Sequence, residues 1–306
     1  MNNDPKYCYI VTTRDDTQML VMTHVAILTL KLTHPKAHAV LLVDHPTEQL
    51  IDDAYPELRD AVEELVAVDS GIQDAAASSR YLKTRMRSLL EGDLLFLDID
   101  TLILRDLSPL WEHDAVISGI HDDNTLGGHF DNRLTDGFKQ LGWSAPSEPY
   151  LNSGVMFWRD NEESHRLGEA WHQCWLESRE VMGDTDQPAL NRAMTQTGTT
   201  LKLLPQDYNQ KVRDRPGILK KPVILHYETR SALYSKHTLI NHLMRQLTGN
   251  GKIDESMLHR ARKRNDPWGS AGPGIKGNWH TRRYKAAFLE CLKRLAKPLS
   301  ASGQTS

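Results

Sequence analysis

Two carboxylates, Asp98 and Asp100, interrupt an apolar run that extends from Phe96 to Leu104. Buried carboxylates need a partner, because an unpaired charge is costly to remove from water. On a strand both side chains project to the same side, and open α/β sheets bind their ligands at the carboxyl ends of strands. Such a pair suits Mg²⁺ or Mn²⁺, which complete their coordination with substrate phosphates. The pair indicates a cation and a diphosphate ligand; the alternative is two aspartates that cap the turn after a strand.

Short apolar runs alternate with helical sequence around this pair. The alternation predicts an α/β fold with a mostly parallel mixed sheet flanked by helices, followed by a C-terminal helical extension. A polar stretch at residues 122–149 is long for a connection within a domain and predicts a binding loop or lid. The predicted strands cover residues 7–13, 39–43, 94–97, 102–104, 115–118 and 223–227, and a further apolar strand follows a turn within residues 150–158. The predicted helices cover 17–31, 78–90, 162–181 and a stretch that opens near Pro188.

Composition places the chain among ordinary globular proteins. Its 306 residues are 39% hydrophobic and 25% charged, which is enough to form a sizeable core. The three cysteines have no paired spacing, so they indicate neither a disulfide framework nor a cysteine zinc site and fit the reducing cytosol. The first residues lack an export signal and residues 19–32 are broken by polar side chains, so we expect a cytoplasmic protein without a membrane span.

The C-terminal segment differs in charge from the rest of the chain. Between residues 252 and 306, twelve Lys and Arg face four Asp and Glu, although the whole chain has a formal charge of −3. Residues 282–297 predict a helix with one apolar stripe and a basic remainder, which suits either peripheral binding to the anionic inner face of a membrane or packing on the domain. No nucleic-acid-binding motif is recognisable, so no nucleic acid partner is expected. We expect a catalytic domain in residues 1–250 and a basic, partly helical extension in residues 251–306.

Five short motifs occur in a fixed order between residues 7 and 227. They are Arg80-Tyr81-Leu82-Lys83, Phe96-Leu97-Asp98-Ile99-Asp100-Thr101, Asn152-Ser153-Gly154, Asp184-Thr185-Asp186-Gln187 and Leu225-His226-Tyr227. Their order and spacing resemble glycosyltransferase family 8, and the ordered series is far more specific than any single motif. The resemblance implies a Rossmann-like glycosyltransferase A-type fold, a nucleotide-sugar donor with UDP-sugar as the first choice, a manganese cofactor and retention of the anomeric configuration.

The resemblance also implies roles for individual residues. Asp98 and Asp100 would bind Mn²⁺ or Mg²⁺ with His226 as a third ligand, and a neutral imidazole favours Mn²⁺ over a site of oxygen ligands alone. Asp186 and Gln187 match a catalytic pair near the anomeric carbon, where Asp186 orients sugar hydroxyls and Gln187 faces the reacting centre. The residues implied to bind the donor are Thr12, Thr13, Asp15, Arg80, Lys83, Asp98, Ile99, Asp100, Asn152 and Ser153.

Each of these motifs, taken alone, has a structural alternative. The alternative for His226 is a structural histidine at the end of a strand, with its hydrogen bonds satisfied by the protein. The alternative for Asn152 and Ser153 is an ordinary turn before a strand. Asp186 resembles the cap at the start of a helix. Lys83 and Arg80 resemble the solvated face of a helix.

One departure from the family pattern concerns the diphosphate. The family commonly follows its metal-binding histidine with Gly and a Lys-Pro-Trp segment, whereas this chain continues with residues 227–236, which lack both. Arg230 or Lys236 is expected to supply the positive charge on the diphosphate, and an arginine offers a bidentate fork for phosphate.

The implied reaction moves a hexose to a hydroxyl of a glycan or lipid-linked acceptor, such as a growing chain in cell-surface polysaccharide synthesis. A bound cation would neutralise the charge that develops on the leaving phosphate. Two alternatives stay open. A haloacid-dehalogenase-type phosphohydrolase also uses Asp-x-Asp after a strand, but its motif has a further residue before the Thr, whereas Thr101 directly follows Asp100. The other alternative is a non-catalytic nucleotide-sugar or glycan-binding protein with a degenerate site.

Overall fold

The computed structural model describes residues 5–122, 125, 128–212, 221–228, 238–268, 288 and 291–292. The strands are β1 (Lys6–Ile10), β2 (Ala39–Asp44), β3 (Glu64–Val68), β4 (Leu94–Leu97), β5 (Thr101–Ile103), β6 (Ile117–His121), β7 (Leu151–Trp158), β8 (Leu201–Leu204), β9 (Gln210–Lys211) and β10 (Ile224–His226). The helices are α1 (Thr17–Thr33), α2 (His45–Ala54), α3 (Glu57–Asp60), α4 (Ala75–Leu89), α5 (Asn132–Gln140), α6 (Glu162–Met182), α7 (Gln187–Thr197), α8 (Leu239–Asn250) and α9 (Glu255–Arg264).

Aspartates determine where several helices begin. The side chains of Asp16, Asp44, Asp74 and Asp131 each accept a hydrogen bond from a backbone N–H in the first turn of α1, α2, α4 and α5, respectively. Such caps satisfy amide donors that have no partner within the helix. Because the first three aspartates end or follow β1, β2 and β3, they start α1, α2 and α4 at the carboxyl edge of the sheet.

Seven strands form one sheet in the order β3-β2-β1-β4-β7-β6-β8. Neighbouring strands are parallel, except that β7 runs antiparallel to both β4 and β6. The predicted α/β fold with a mostly parallel mixed sheet is therefore confirmed. Strand β1 lies between β2 and β4, so the carboxyl ends of β1 and β4 flank a topological switch point, where open sheets bind ligands.

Helices cover both faces of this sheet because the side chains of each strand alternate between the faces. On β1, Tyr7 and Tyr9 join one buried cluster with apolar residues of α1, while Cys8 and Ile10 join a second cluster with residues of α4 and α6. Strands buried on both faces read as continuous apolar runs, which is why these segments are recognisable in the sequence.

A second, smaller sheet consists of β5, β10 and β9, and β5 follows the turn at the carboxyl end of β4. Strand β10 pairs antiparallel with β5, with His226 opposite Thr101, and parallel with β9, with His226 beside Lys211. This pairing brings a residue from late in the chain next to the turn that carries Asp98 and Asp100.

Two segments need comment against the sequence predictions. The stretch 122–149 is not only a loop, because Asp131 caps α5 and Phe138 of that helix packs edge-on against Trp143. Helices α8 and α9 bury Leu243 and Met257 in the cluster that contains α1. Most of residues 282–297 lies outside the described residues, so the membrane helix and the division at residue 250 stay predictions. Among the described helices, none is both long and apolar enough to cross a membrane.

Candidate active site

Asp98, Asp100 and His226 form a cluster at the switch point. Asp98 follows β4, Asp100 precedes β5, and the pairing of β10 with β5 places His226 across from the residue after Asp100. The Nε2 atom of His226 lies 3.2 Å from an oxygen of Asp100 and 3.7 Å from an oxygen of Asp98. One ligand atom from each residue lies within 4.8 Å of the other two. The set can hold one divalent cation.

The electrostatics of this cluster fit a cation. Burial raises the pKa of Asp98 and the Asp100 carboxylate adds to this effect, although Lys83 and His226 oppose it. Burial alone would lower the pKa of His226, but Asp100 and Asp98 outweigh it and raise that pKa. Two carboxylates and one imidazole at this spacing are a donor set that suits Mn²⁺. The Asp98 side chain is 27% exposed, so the cluster is open to a ligand on that side.

Gly154 leaves the space that this cluster occupies. A Cβ atom at position 154 would lie 2.5 Å from Cε1 of His226 and 2.8 Å from an oxygen of Asp98. Cβ atoms in proteins essentially never make contacts this short. Any other residue at position 154 would therefore displace two of the three candidate ligands. The backbone of Gly154 also accepts a hydrogen bond from the Asp98 amide at 2.9 Å. The glycine of the Asn-Ser-Gly motif is therefore needed for close approach.

Asp186 lies beside this cluster and pairs with two cations. Its carboxylate oxygens lie 3.3 Å from Nζ of Lys83 and 3.2 Å from Nε of Arg80. Burial would raise the pKa of Asp186, but Lys83 and Arg80 outweigh burial and lower it. Although Asp186 immediately precedes α7, its side chain makes no capping hydrogen bond. Lys83 also contacts Asp98 at 3.2 Å, so one buried ammonium links the candidate metal and sugar residues.

Gln187 and Asn152 are hydrogen-bonded to each other beside Asp186. The Oε1 atom of Gln187 accepts hydrogen bonds from Nδ2 of Asn152 at 3.0 Å and from the amide of Ser153 at 3.2 Å. Its Nε2 atom donates to Asp122 at 2.7 Å, and Asp122 is paired with Lys211 at 2.8 Å. These bonds hold the polar lining of the pocket in one arrangement.

Two cavities meet at Arg80 and Asp98, which line both. The first, of about 430 Å³, is bordered by Lys83, Asp122, Asn152, Ser153, Asp186 and Gln187. The second, of about 500 Å³, is bordered by Thr12, Thr13, Asp15, Ile99 and Asp100. The family resemblance predicts the hexose in the first cavity and the base and ribose in the second, and we name them the sugar lobe and the nucleotide lobe after that expectation. The two lobes lie on either side of the candidate metal ligands.

A sequence model of the nucleotide-diphospho-sugar transferase family matches residues 40–239, well over half of the chain. The chain belongs to this family. The match includes the candidate metal ligands and the lining of the sugar lobe, and it identifies the protein as a glycosyltransferase rather than a phosphohydrolase. Among curated proteins, no significant match is found.

Solved structures share the fold of this transferase at low sequence identity. Galactosyltransferase LgtC, in complex with donor and acceptor sugar analogues, is 17% identical with a TM-score of 0.52, over 73% of this chain and 87% of LgtC. Mouse xyloside xylosyltransferase 1 is 15% identical with a TM-score of 0.51, over 74% of this chain and 99% of that one. Glycosyltransferase GlyE of Streptococcus pneumoniae TIGR4 is 13% identical with a TM-score of 0.53, over 87% of this chain and 66% of GlyE. The transferase therefore has the glycosyltransferase A-type fold.

The described residues of this transferase bring nearly all the sequence-predicted site residues into one groove. Arg230 and Lys236, predicted to contact the diphosphate, lie outside the described residues. Sequence reasoning missed Asp122, Asn209 and Lys211. Asp122 has a weak signal, since it follows β6 directly, whereas nothing in the sequence distinguishes the other two. Each of the three is buried and bonded within the site.

Proposed function

We propose that this transferase is a metal-dependent, retaining enzyme of the glycosyltransferase family 8 type, which uses a UDP-sugar donor. The observation that carries the proposal is the Asp98–Asp100–His226 cluster at the junction of two lobes. A nucleotide sugar has the matching shape, with a base and ribose at one end, a diphosphate in the middle and a hexose at the other end. Carboxylates and an imidazole in the middle match the place where a metal-bound diphosphate would lie.

The nucleotide lobe would hold the base and ribose near Thr12, Thr13, Asp15 and Ile99. Arg80 lines both lobes, and its guanidinium can reach a diphosphate between them. This supports Arg80 as one cation that compensates for the missing Lys-Pro-Trp segment, alongside Arg230 and Lys236.

The sugar lobe would bind the hexose through groups already fixed by hydrogen bonds. Asp186, held by Lys83 and Arg80, would accept hydrogen bonds from sugar hydroxyls. Asn152 and Ser153 would contact the same ring, and Gln187 would face the anomeric carbon. Pre-positioned groups of this kind lower the barrier by removing the entropy cost of alignment.

The acceptor hydroxyl would attack the anomeric carbon from the face that the diphosphate leaves. The glycosidic C–O bond forms as the bond to the phosphate oxygen breaks, and the departing diphosphate takes the hydroxyl proton. When bound, the divalent cation supplies Lewis-acid neutralisation of the leaving phosphate. The acceptor is proposed to be a glycan or lipid-linked hydroxyl used in cell-surface polysaccharide synthesis, at a cytoplasmic site with peripheral membrane contact through residues 282–297.

Calorimetric titration with a panel of nucleoside diphosphates and UDP-hexoses, with and without Mn²⁺, tests the donor site. We expect one nucleotide to bind only with the metal, and the binding to vanish in Asp100→Ala. Asp114→Ala is the matched control, because Asp114 is exposed and lies before the first residue of β6, at the end of that strand away from the site. Metal-independent binding, or equal loss in both variants, would contradict the proposal.

The stereochemical outcome needs its own measurement. When no acceptor is present, water can take the place of the acceptor hydroxyl, and proton NMR distinguishes the anomer first released. Retention predicts that the first sugar has the anomeric configuration of the donor. Release of the opposite anomer would exclude the retaining reaction without excluding the metal site.

A further inference from the structure

An unbroken series of side-chain hydrogen bonds joins the sugar lobe to the candidate metal cluster. From Gln187 it continues through Asn152, whose Oδ1 accepts from Nδ2 of Asn209 at 2.7 Å. The Oδ1 atom of Asn209 then lies 2.7 Å from Nδ1 of His226. At the other end of the series, Nε2 of Gln187 donates to Asp122, which is paired with Lys211. Asn209 is only 2% exposed, so its bonds are shielded from bulk solvent.

The direction of every bond in this series is fixed by groups that have one role only. The Asp122 carboxylate can only accept, so it faces the amide nitrogen of Gln187. The backbone amides of Ser153 and Gly154 can only donate, and they face the side-chain oxygens of Gln187 and Asn152, respectively. Reversing either amide would therefore oppose two donors or two acceptors in a buried site.

This order determines the state of the histidine ring. Since Asn152 presents its oxygen, Asn209 must present its nitrogen to Asn152 and its oxygen to His226. An oxygen cannot donate, so Nδ1 of His226 carries the hydrogen. The Nε2 atom is then the nitrogen whose lone pair can face a cation between Asp98 and Asp100.

We propose that Asn209 is a positioning residue that holds His226 with its hydrogen on Nδ1 and Nε2 available for the metal. The inference rests on the proposed function for its metal but not for its geometry. Asn209 lies in a short 3₁₀ helix just before β9, and β9 pairs with the strand of His226. The same asparagine thus connects the ligand strand to the sugar lobe through Asn152. Partners of a metal-bound histidine set its orientation and basicity, and their loss costs about 10- to 100-fold in metal affinity.

The first test measures Mn²⁺ affinity in the absence of nucleotide, by calorimetry or by the electron paramagnetic resonance of free Mn²⁺. Asn209→Leu is expected to weaken binding about 10- to 100-fold. Asn209→Asp keeps an acceptor toward Nδ1 but loses the donor to Oδ1 of Asn152, so it is expected to lose clearly less affinity than Asn209→Leu. Asn161→Leu is the control, because it removes the cap of α6 at the opposite edge of the sheet and costs stability without touching the site. Wild-type affinity in Asn209→Leu would overturn the proposal, as would equal losses in the Leu and Asp variants.

A second test needs neither metal nor activity. In protein labelled with ¹⁵N-histidine, the Nδ1–H proton of His226 should be shifted downfield and slow to exchange, and His226→Gln assigns the signal. The signal should vanish in Asn209→Leu and persist in Asn209→Asp. A ring without a hydrogen on Nδ1 in the wild-type protein would overturn the inference even if Mn²⁺ binds. A wild-type protein that shows this proton but binds no Mn²⁺ would instead refute the proposed metal site and leave the positioning role standing.

Discussion

Two clusters of residues around aspartates lie at the carboxyl edge of the same sheet, one around Asp44 and one around Asp98 and Asp100. They differ in how many hydrogen-bond donors of the protein face the carboxylates. Asp44, at the end of β2, accepts hydrogen bonds from the amide and hydroxyl of Thr47 and from the hydroxyl of Ser78, and it pairs with Arg14 at 2.9 Å. Asp98 and Asp100, after β4, face each other and share His226. The first cluster has its acceptors filled by the protein, whereas the second combines two like charges around one imidazole, with the Lys83 ammonium beside Asp98.

The pKa directions follow this difference. Burial would raise the pKa of Asp44, but hydrogen bonds from Ser78, Thr47 and Arg14 lower it below the ordinary value. The pKa of Asp98 is raised, because burial and Asp100 prevail. A carboxylate whose lone pairs are filled stabilises the fold, while carboxylates that repel one another provide a site for a cation.

The largest effect is expected from Gly154→Ala. The added Cβ would overlap His226 and Asp98, so metal-dependent nucleotide binding should fall by about 100-fold, the upper end of the range for loss of a ligand's support. Titration calorimetry with Mn²⁺ and the best nucleotide measures the change. Gly249→Ala, in α8, is the control, since nothing lies within 4 Å of its added Cβ. Unchanged affinity in Gly154→Ala would mean that the three residues do not form the metal site.

Adding Mn²⁺ should stabilise the folded protein through the Asp98–Asp100–His226 cluster and not through Asp44. At 100 times the dissociation constant, a ligand that binds only the folded state adds about 2.7 kcal/mol to the free energy of unfolding. We expect this increment in the wild type and in Asp44→Asn but not in Asp98→Asn. Urea denaturation with Mn²⁺ or with EDTA measures it. An equal increment in all three proteins would place the metal elsewhere.

Replacing Asp44 should destabilise the fold. Asp44→Asn removes a charged acceptor of buried hydrogen bonds, so the free energy of unfolding at pH 7 should fall by about 2 kcal/mol. Because the folded-state pKa is lowered, this stabilisation is present above the ordinary pKa of 3.8 and is lost as the pH falls through the lower folded value. The difference between the two proteins should therefore be constant well above pH 3.8 and shrink progressively as the pH is lowered below 3.8. A difference that is constant with pH would show that the carboxylate charge is not its source.

The smallest effect should have the opposite sign. Asp98→Asn removes one of two facing carboxylates, so the metal-free protein should gain about 1 kcal/mol in the free energy of unfolding, at the expense of metal binding. Urea denaturation in EDTA measures the gain, and Asp114→Asn, at an exposed aspartate outside the site, is the control. A loss as large as that of Asp44→Asn would erase the distinction between the two clusters.

Much of the fold could be predicted from sequence, because the strands of the main sheet are buried on both faces and read as apolar runs. Strand β4 was predicted at its observed bounds, Leu94–Leu97. Strand β3 was missed because its residues are only half buried and mix with charged ones. Helix α5 was missed because the stretch around it is mostly polar and contains several Gly and Pro.

The sequence by itself determined the residue types at the candidate site: two carboxylates after an apolar strand, a histidine at the end of another, and an Asp-Gln pair at a helix start. Short-range pattern is enough for these, because each motif is local. Only the tertiary structure decided that His226 lies opposite Thr101, that Gly154 leaves room for the ligands, and that Asn209 and Lys211 belong to the site. Those relations depend on contacts between segments that are separated in the chain, such as Thr101 and His226, and such contacts are set by the packing of the whole sheet rather than by local sequence.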